Sequence, residues 1–405
     1  MKRSNTVTTP ASSVENAADA GKRAHTHYNI LSNFGGASPK TGGPPFPGLN
    51  YETPASIGCI YLFQLQPQVS GCNPNVVTTN PSGGSRAIAI VDAYDNPNAY
   101  ADLQTFSTQF GVQAITPASF AVKYAPGAGA AFGSCTGPAT EPPVDSTGGW
   151  ELEESLDVQW SHAMAPGAKL YLVEAQSNSY GDLFCAVILA NSLVSAAGGG
   201  EISMSWGGDE FSSEVLFDQF CTAPNVVYFA STGDSPGTEY PSVSPNVIAV
   251  GGTSISRNPV SGNYVLESDW QDGGGGSSAY EARPAYQNGI SNMVGNYRGV
   301  PDIASDANPY SGVWVLDNYP YAGETGWWIV GGTSVASPTW AGFVNAAGSF
   351  AASTSAELTR LYQDSQTGDF TDITVGSCGV YLGYLAMTGW DFCTGLGSPK
   401  FYTGK

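Results

Sequence analysis

One turn constrains this chain more than any other stretch. Gly331-Gly332-Thr333-Ser334-Val335-Ala336-Ser337-Pro338 follows the apolar run Trp327-Trp328-Ile329-Val330 and leads into a helix-like stretch over 334–350. Glycines let the backbone bend sharply between strand and helix and leave a serine hydroxyl unobstructed. The serine then sits at a helix N-terminus, where unpaired N–H groups and the positive dipole end favour developing negative charge. Pro338 is tolerated where a first helical turn has no hydrogen bond to lose. A nucleophile placed this way suits acyl transfer. The same residues also suit a plain Gly-Gly turn with a serine or threonine N-cap.

A second stretch supplies acid–base groups. Trp150-Glu151-Leu152-Glu153-Glu154-Ser155-Leu156-Asp157-Val158-Gln159-Trp160 predicts a helix, with a strand over 169–173 after it. Glu153 and Asp157 are four apart and share a helical face. Two carboxyl groups held together cannot both ionise cheaply, so one keeps its proton. Such a pair serves as a general base at acid pH, where a histidine is already protonated. Glu154, three before Asp157, lies near the same face and stays an alternative; helix-start carboxylates also complement the dipole. Of the three histidines, His25 and His27 lie in a polar N-terminal segment. His162 follows Asp157 by five residues, off its face, and is the remaining candidate base.

Other positions stand out by context. Val226-Val227-Tyr228-Phe229-Ala230-Ser231 predicts a buried strand, and Thr232-Gly233-Asp234-Ser235-Pro236-Gly237 a turn after it. Asp92 ends the apolar run 87–91, where it either caps the next helix or joins a carboxylate network. Trp206 lies in Ser203-Met204-Ser205-Trp206-Gly207-Gly208 and is a core candidate on its own. Asp372 and Asp391 sit on opposite arms of a Gly- and Tyr-rich loop, which on its own reads as a tight loop between short strands.

The Gly-Thr-Ser-x-x-x-Pro segment resembles the nucleophile motif of subtilisin-like peptidases, but their His-Gly-Thr-His helix start is absent. Combined with the Glu-x-x-Leu-Asp helix, the chain resembles the sedolisins, the serine-carboxyl peptidases, over 53–399. That resemblance implies an α/β, subtilisin-like fold with a mostly parallel central sheet, helices on both faces and a C-terminal calcium-binding loop. It implies Ser334 as nucleophile, Glu153 as base positioned by Asp157, and Asp234 as a protonated oxyanion donor. Asp92 and Trp206 would support the acidic cluster. One structural Ca²⁺ would be held by Asp372 and Asp391 and by the carbonyls of Ile373, Met387 and Gly389. Glycine is frequent in the family at the position of Met387. The implied activity is endopeptidase cleavage of polypeptides at acid pH, with a tripeptidyl exopeptidase or a non-catalytic secreted binding protein as alternatives.

Composition bounds the partners. With 34 acidic and 14 basic residues and a net charge of −20, the chain lacks the basic surface nucleic acids require. No apolar run is long enough to span a membrane, and residues 1–20 lack a signal-peptide core. A secreted monomer is expected. Seven cysteines suit an oxidising compartment. Local pairs Cys59–Cys72 and Cys378–Cys393 are expected, and Cys185–Cys221 after them, leaving Cys135 unpaired. Residues 1–48 lack periodicity and predict a flexible segment, a linker or propeptide remnant, ahead of one peptidase-like domain over 49–405. Apolar runs alternating with helical stretches, including 98–110, 180–195 and 212–222, imply a parallel sheet.

Overall fold

A computed structural model describes residues 6–36, 41–62, 70–364 and 368–402. Its centre is an eight-stranded sheet. Seven strands run in the order Tyr264–Asp269, Ile248–Arg257, Val226–Ser231, Gly200–Met204, Ala87–Ala93, Lys169–Ala175, Phe120–Tyr124. Ile303–Asp306 also pairs with Ile248–Arg257, in parallel. All pairings are parallel except that of the edge strand Tyr264–Asp269.

The strands read as apolar runs because both faces are covered. In Ala87–Ala93 the side chains alternate between two separate cores. Ile88 and Ile90 pack with Leu156, Trp160 and Trp340. Ala87, Ala89 and Val91 pack with Leu183, Ala186 and Val187 of the helix Tyr180–Ala196. The first core lies under two helices, Gly149–Met164 and Thr333–Ala347. They approach so closely that a Cβ on Gly342 would lie 2.6 Å from that of Met164. Burial of all sixteen residues of Gly149–Met164 explains why its carboxylates matter.

Three expectations need correction. The stretch 212–222 forms two short 3₁₀ turns, Glu214–Leu216 and Asp218–Cys221, instead of an α-helix. Glu214 accepts the Phe211 N–H at 2.7 Å, and Phe217 and Phe220 turn onto Phe184, so aromatic packing overrides helical propensity. Cys185 bonds to Cys135, not Cys221, which is a buried thiol. Phe132 packs on Phe217 and Phe220, drawing its loop onto the helix that carries Cys185. The pairs Cys59–Cys72 and Cys378–Cys393 form as expected.

The third correction concerns the N-terminal segment. Within 6–36 the chain is paired into the domain instead of being loose; residues 1–5 and 37–40 lie outside the described residues. His25–Thr26 lies antiparallel to Trp206–Asp209, and Asn29–Gly35 lies antiparallel to Glu324–Gly331. Among the described residues no helix is long and apolar enough to cross a membrane.

Candidate active site

Ser334 is the second residue of the helix Thr333–Ala347 and is fully buried. Gly332 caps that helix at φ 123°. A Cβ there would fall 2.2 Å from the His27 carbonyl oxygen and 2.5 Å from Asp234 Oδ2, so only glycine admits this approach. Pro338 lies inside the helix, past its first turn, contrary to expectation. Lacking an N–H, it leaves the Ser334 carbonyl without a helical donor. The Ser205 hydroxyl sits 3.4 Å from that carbonyl, its single hydrogen shared between the carbonyl and Asp157. The Ser334 hydroxyl in turn donates to the Ser205 carbonyl at 3.2 Å.

The helix Gly149–Met164 brings Glu153 and Asp157 to this serine. Asp157 Oδ1 accepts from the Ser205 hydroxyl at 3.0 Å. Neither carboxyl oxygen of Glu153 has a hydrogen-bond partner within 3.5 Å among the described residues. Ser334 is nonetheless near enough to favour its charged form. Burial raises Glu153 well above the usual carboxylate range, and Asp157 and Asp92 add to the rise. Burial likewise raises Asp157, with Asp92 beside it. Asp92, at the end of Ala87–Ala93, is pushed up to about 8 by burial. The three acids thus form one electrostatically coupled, buried cluster.

Glu154 points elsewhere. It is buried beside Glu174, Asp92 and Glu151, and Ser334 is not among its neighbours. His162 is also remote, bonded through Nε2 to the Gln113 carbonyl at 2.8 Å and lowered by burial. Trp206 Nε1 donates to the Val91 carbonyl at 2.7 Å, one residue before Asp92. Its ring packs on Tyr180 and Phe184, so it is core beneath the cleft floor.

Asp234 follows the strand Val226–Ser231 and faces the other side of Ser334. Its Oδ1 accepts the Thr333 N–H at 2.8 Å and the Thr333 hydroxyl at 3.0 Å. Its Oδ2 accepts from Asn29 at 2.9 Å. Burial holds it well above the usual carboxylate range, against those hydrogen bonds.

Between its two strands the N-terminal segment crosses Ser334. His27 N–H donates to Ser334 Oγ at 3.2 Å, and Ser334 N–H donates to the His27 carbonyl at 3.0 Å. His25 pairs with Gly207, Thr26 with Trp206, and Asn29 with Gly331. A polypeptide therefore lies extended through the cleft, with the His27 carbonyl on the Ser334 amide and Asn29, two residues on, bonded to Asp234. Sequence reading missed His27, Ser205 and Glu239. The alternation of Tyr28 and Ile30 with polar neighbours is the signal that marks a strand there.

Asp372 and Asp391 lie about one short loop. Gly389 N–H donates to Asp372 Oδ2 at 3.1 Å and Met387 N–H to Asp391 Oδ2 at 2.8 Å. Burial raises Asp391, and Asp269 is pushed up to about 6 by burial and by Asp391. Two carboxylates converging on the stretch 387–389, one of them buried beside a third acid, fit a hard cation.

No family model matches the chain. Kumamolisin of Bacillus sp. is 30% identical over 295 residues, covering 64% of this chain and 51% of that protein. Sedolisin of Pseudomonas sp. is 35% identical over 187 residues, 41% of this chain and 29% of that protein. Tripeptidyl-peptidase sed4 of Aspergillus fumigatus is 31% identical over 204 residues, 40% of this chain and 32% of that protein. The chain thus spans about half the length of kumamolisin and less of the others. Among solved structures, Pseudomonas sedolisin complexed with pseudo-iodotyrostatin superposes with a TM-score of 0.65 at 24% identity, covering 86% of this chain and 95% of that one. The chain is thus similar in sequence to sedolisins over part of their length, and it shares the subtilisin-like fold of the solved sedolisin.

Proposed function

We propose that the chain is a serine-carboxyl endopeptidase acting at acid pH. The observation that carries this reading is the engagement of the His27 peptide by both the amide and the hydroxyl of Ser334. Ser334 Oγ attacks the substrate carbonyl carbon while Glu153 takes its proton. Asp157, tied to Ser205, positions Glu153 and shares the proton load of the cluster. The Ser334 amide and the protonated carboxyl of Asp234 donate to the oxyanion. Glu153 then gives its proton to the leaving amine as the C–N bond breaks. Water, deprotonated by Glu153, releases the acyl group from Ser334.

Passage of the chain on both sides of Ser334 supports an endopeptidase. Residues upstream of His25 continue onward, with Arg23 bridged to Ser179, so the cleft does not end three residues before the serine. A structural Ca²⁺ is part of the proposal, held by Asp372, Asp391 and the carbonyls of Ile373, Met387 and Gly389. Its role is to neutralise the carboxylates and fix the loop that Cys378–Cys393 closes. Polypeptides are the proposed partners, with the protein a secreted monomer. The test is hydrolysis of a denatured protein from acid to mildly alkaline pH, wild type beside Ser334→Ala. Acid-limited cleavage lost in the variant is expected; cleavage by the variant rejects the reading.

A further inference from the structure

The side chain of His27 fills a pocket beside Ser334. Its Nδ1 lies 2.6 Å from Ser231 Oγ and its Nε2 lies 2.9 Å from Glu239 Oε2. His27 is fully buried and Glu239 nearly so. The pocket is cut to the size of an imidazole. A Cβ on Gly207 would lie 2.8 Å from His27 Cε1 and 3.0 Å from Glu239 Oε2, and one on Gly233 would lie 2.5 Å from Glu239 Oε1.

The charge balance of this pocket is unusual. Among the described residues, the ion pairs of Glu239 run to His27 and to His25, whose Nε2 is 3.3 Å away. Both partners belong to the segment in the cleft; the domain body supplies no lysine or arginine pair. A buried carboxylate without a cation is strongly unfavourable. Burial lowers His27 below the usual imidazole range, whereas Glu239 raises His25 against its burial, so His25 carries the cation and His27 meets the carboxylate as a hydrogen-bonding imidazole. Burial works against an ionised Glu239, yet the two imidazoles outweigh it and hold the carboxyl below its usual range. Ser231, able to donate or accept, completes the hydrogen bonding of either imidazole form.

We infer that Glu239 and Ser231 make this pocket selective for a basic side chain of imidazole size on the residue whose carbonyl the Ser334 amide holds, so that polypeptides are cut after histidine. This rests on the peptidase reading above and names its substrate class. Lysine and arginine carry the charge but overrun a pocket bounded by Gly207 and Glu239. Leucine leaves the carboxylate unpaired.

The test has two readouts on the full chain. In the first, cleavage sites in a denatured protein mixture are mapped by mass spectrometry for wild type, Glu239→Gln and Ser231→Ala. Wild type is expected to cut after histidine about tenfold more than after leucine, corrected for abundance. That ratio is expected to fall about tenfold in Glu239→Gln and to drop in Ser231→Ala as well. In the second, hydrogen exchange at residues 25–28 is compared between Ser334→Ala and Ser334→Ala with Glu239→Gln; faster exchange in the double variant is expected. Cleavage without preference for histidine, or a ratio unmoved by both variants, overturns the inference and leaves the peptidase reading intact. No cleavage by wild type, with exchange still responding to Glu239→Gln, rejects the peptidase and keeps a pocket for basic side chains. Exchange that ignores Glu239→Gln in a chain that cleaves nothing overturns both.

Discussion

The backbone amide of Ser334 holds the carbonyl of His27 at 3.0 Å, across more than three hundred residues of sequence. Gly332 leaves room for this contact, and Asp234 lies on the far side of the same space. The bond between His27 and Tyr28 is therefore the one presented to the serine. The intact chain held at acid pH is expected to acquire Tyr28 as a new N-terminus, at a rate independent of protein concentration. Intact-mass and N-terminal analysis over time read this directly. Hydrolysis of added protein without a cut at this bond rejects the geometry.

Ser334→Ala removes the attacking oxygen and keeps the amide that binds the carbonyl. Loss of a serine nucleophile from a functioning triad lowers turnover about 10⁶-fold. Peptide hydrolysis is expected to become undetectable while thermal stability stays close to wild type. Glu153→Gln is expected to act almost as severely, since the proposed mechanism gives Glu153 the serine proton and its buried carboxyl oxygens have no other hydrogen-bond partner among the described residues. Substantial turnover by Glu153→Gln sends the base role to another group.

On the proposed mechanism, the upper pH limit of activity belongs to Asp234. Burial raises it well above the usual carboxylate range, so it donates as an acid at low pH and loses that proton as pH climbs. On the same mechanism the lower limit belongs to the Glu153–Asp157–Asp92 cluster, which must release one proton to act as base and whose burial shifts that limit upward. Asp234→Asn keeps a donor at every pH, so the alkaline limb of the kcat/KM profile is expected to move upward. Asp234→Ala is expected to cost about 10²–10³ in kcat. An alkaline limb unchanged in Asp234→Asn rules out the protonated-donor role.

How much of this was legible follows from how local each signal is. Glu153 and Asp157 are readable because a four-residue spacing alone puts them on one helical face, and Ser334 because a Gly-Gly turn precedes it. The choice between Glu153 and Glu154 was not readable without knowing which side of the helix meets Ser334 and which meets Glu174. His27 was hidden because its place depends on two strand pairings, to Trp206–Asp209 and to Glu324–Gly331, whose partners are remote in sequence. The Cys135–Cys185 bond depends on where Phe132 packs, and the use of Pro338 on a hydroxyl from Ser205. Each of these is a tertiary contact that no local pattern encodes.

Calcium is expected to stabilise the C-terminal loop. A ligand at about a hundred times its Kd adds about 2.7 kcal/mol to folding. Excess EGTA is expected to lower the Tm, with re-addition of Ca²⁺ restoring it. Asp391→Asn, which weakens the donor buried beside Asp269, is expected to abolish that response. A Tm that ignores both chelator and Ca²⁺ excludes the site.

The buried carboxyl groups also fix how stability varies with pH. Burial pushes Asp92 up to about 8 and Glu174 up to about 10, and Glu153, Glu154 and Asp157 rise with them. Each binds its proton more tightly folded than unfolded. The native state therefore holds more protons between pH 4 and 8, and stability must fall as pH rises through that window. The full contribution is present below the unfolded values, near pH 4. Glu239, His27 and His162 run the opposite way, being lowered, but they are three groups against these five. With each pKa unit worth about 1.4 kcal/mol, the Tm at pH 8 is expected to lie several degrees below that at pH 4.5. Replacing Asp92 with Asn removes one of these protons from the balance and is expected to flatten the slope. A Tm that climbs from pH 4.5 to 8 contradicts the neutral, proton-holding state of these buried carboxyl groups.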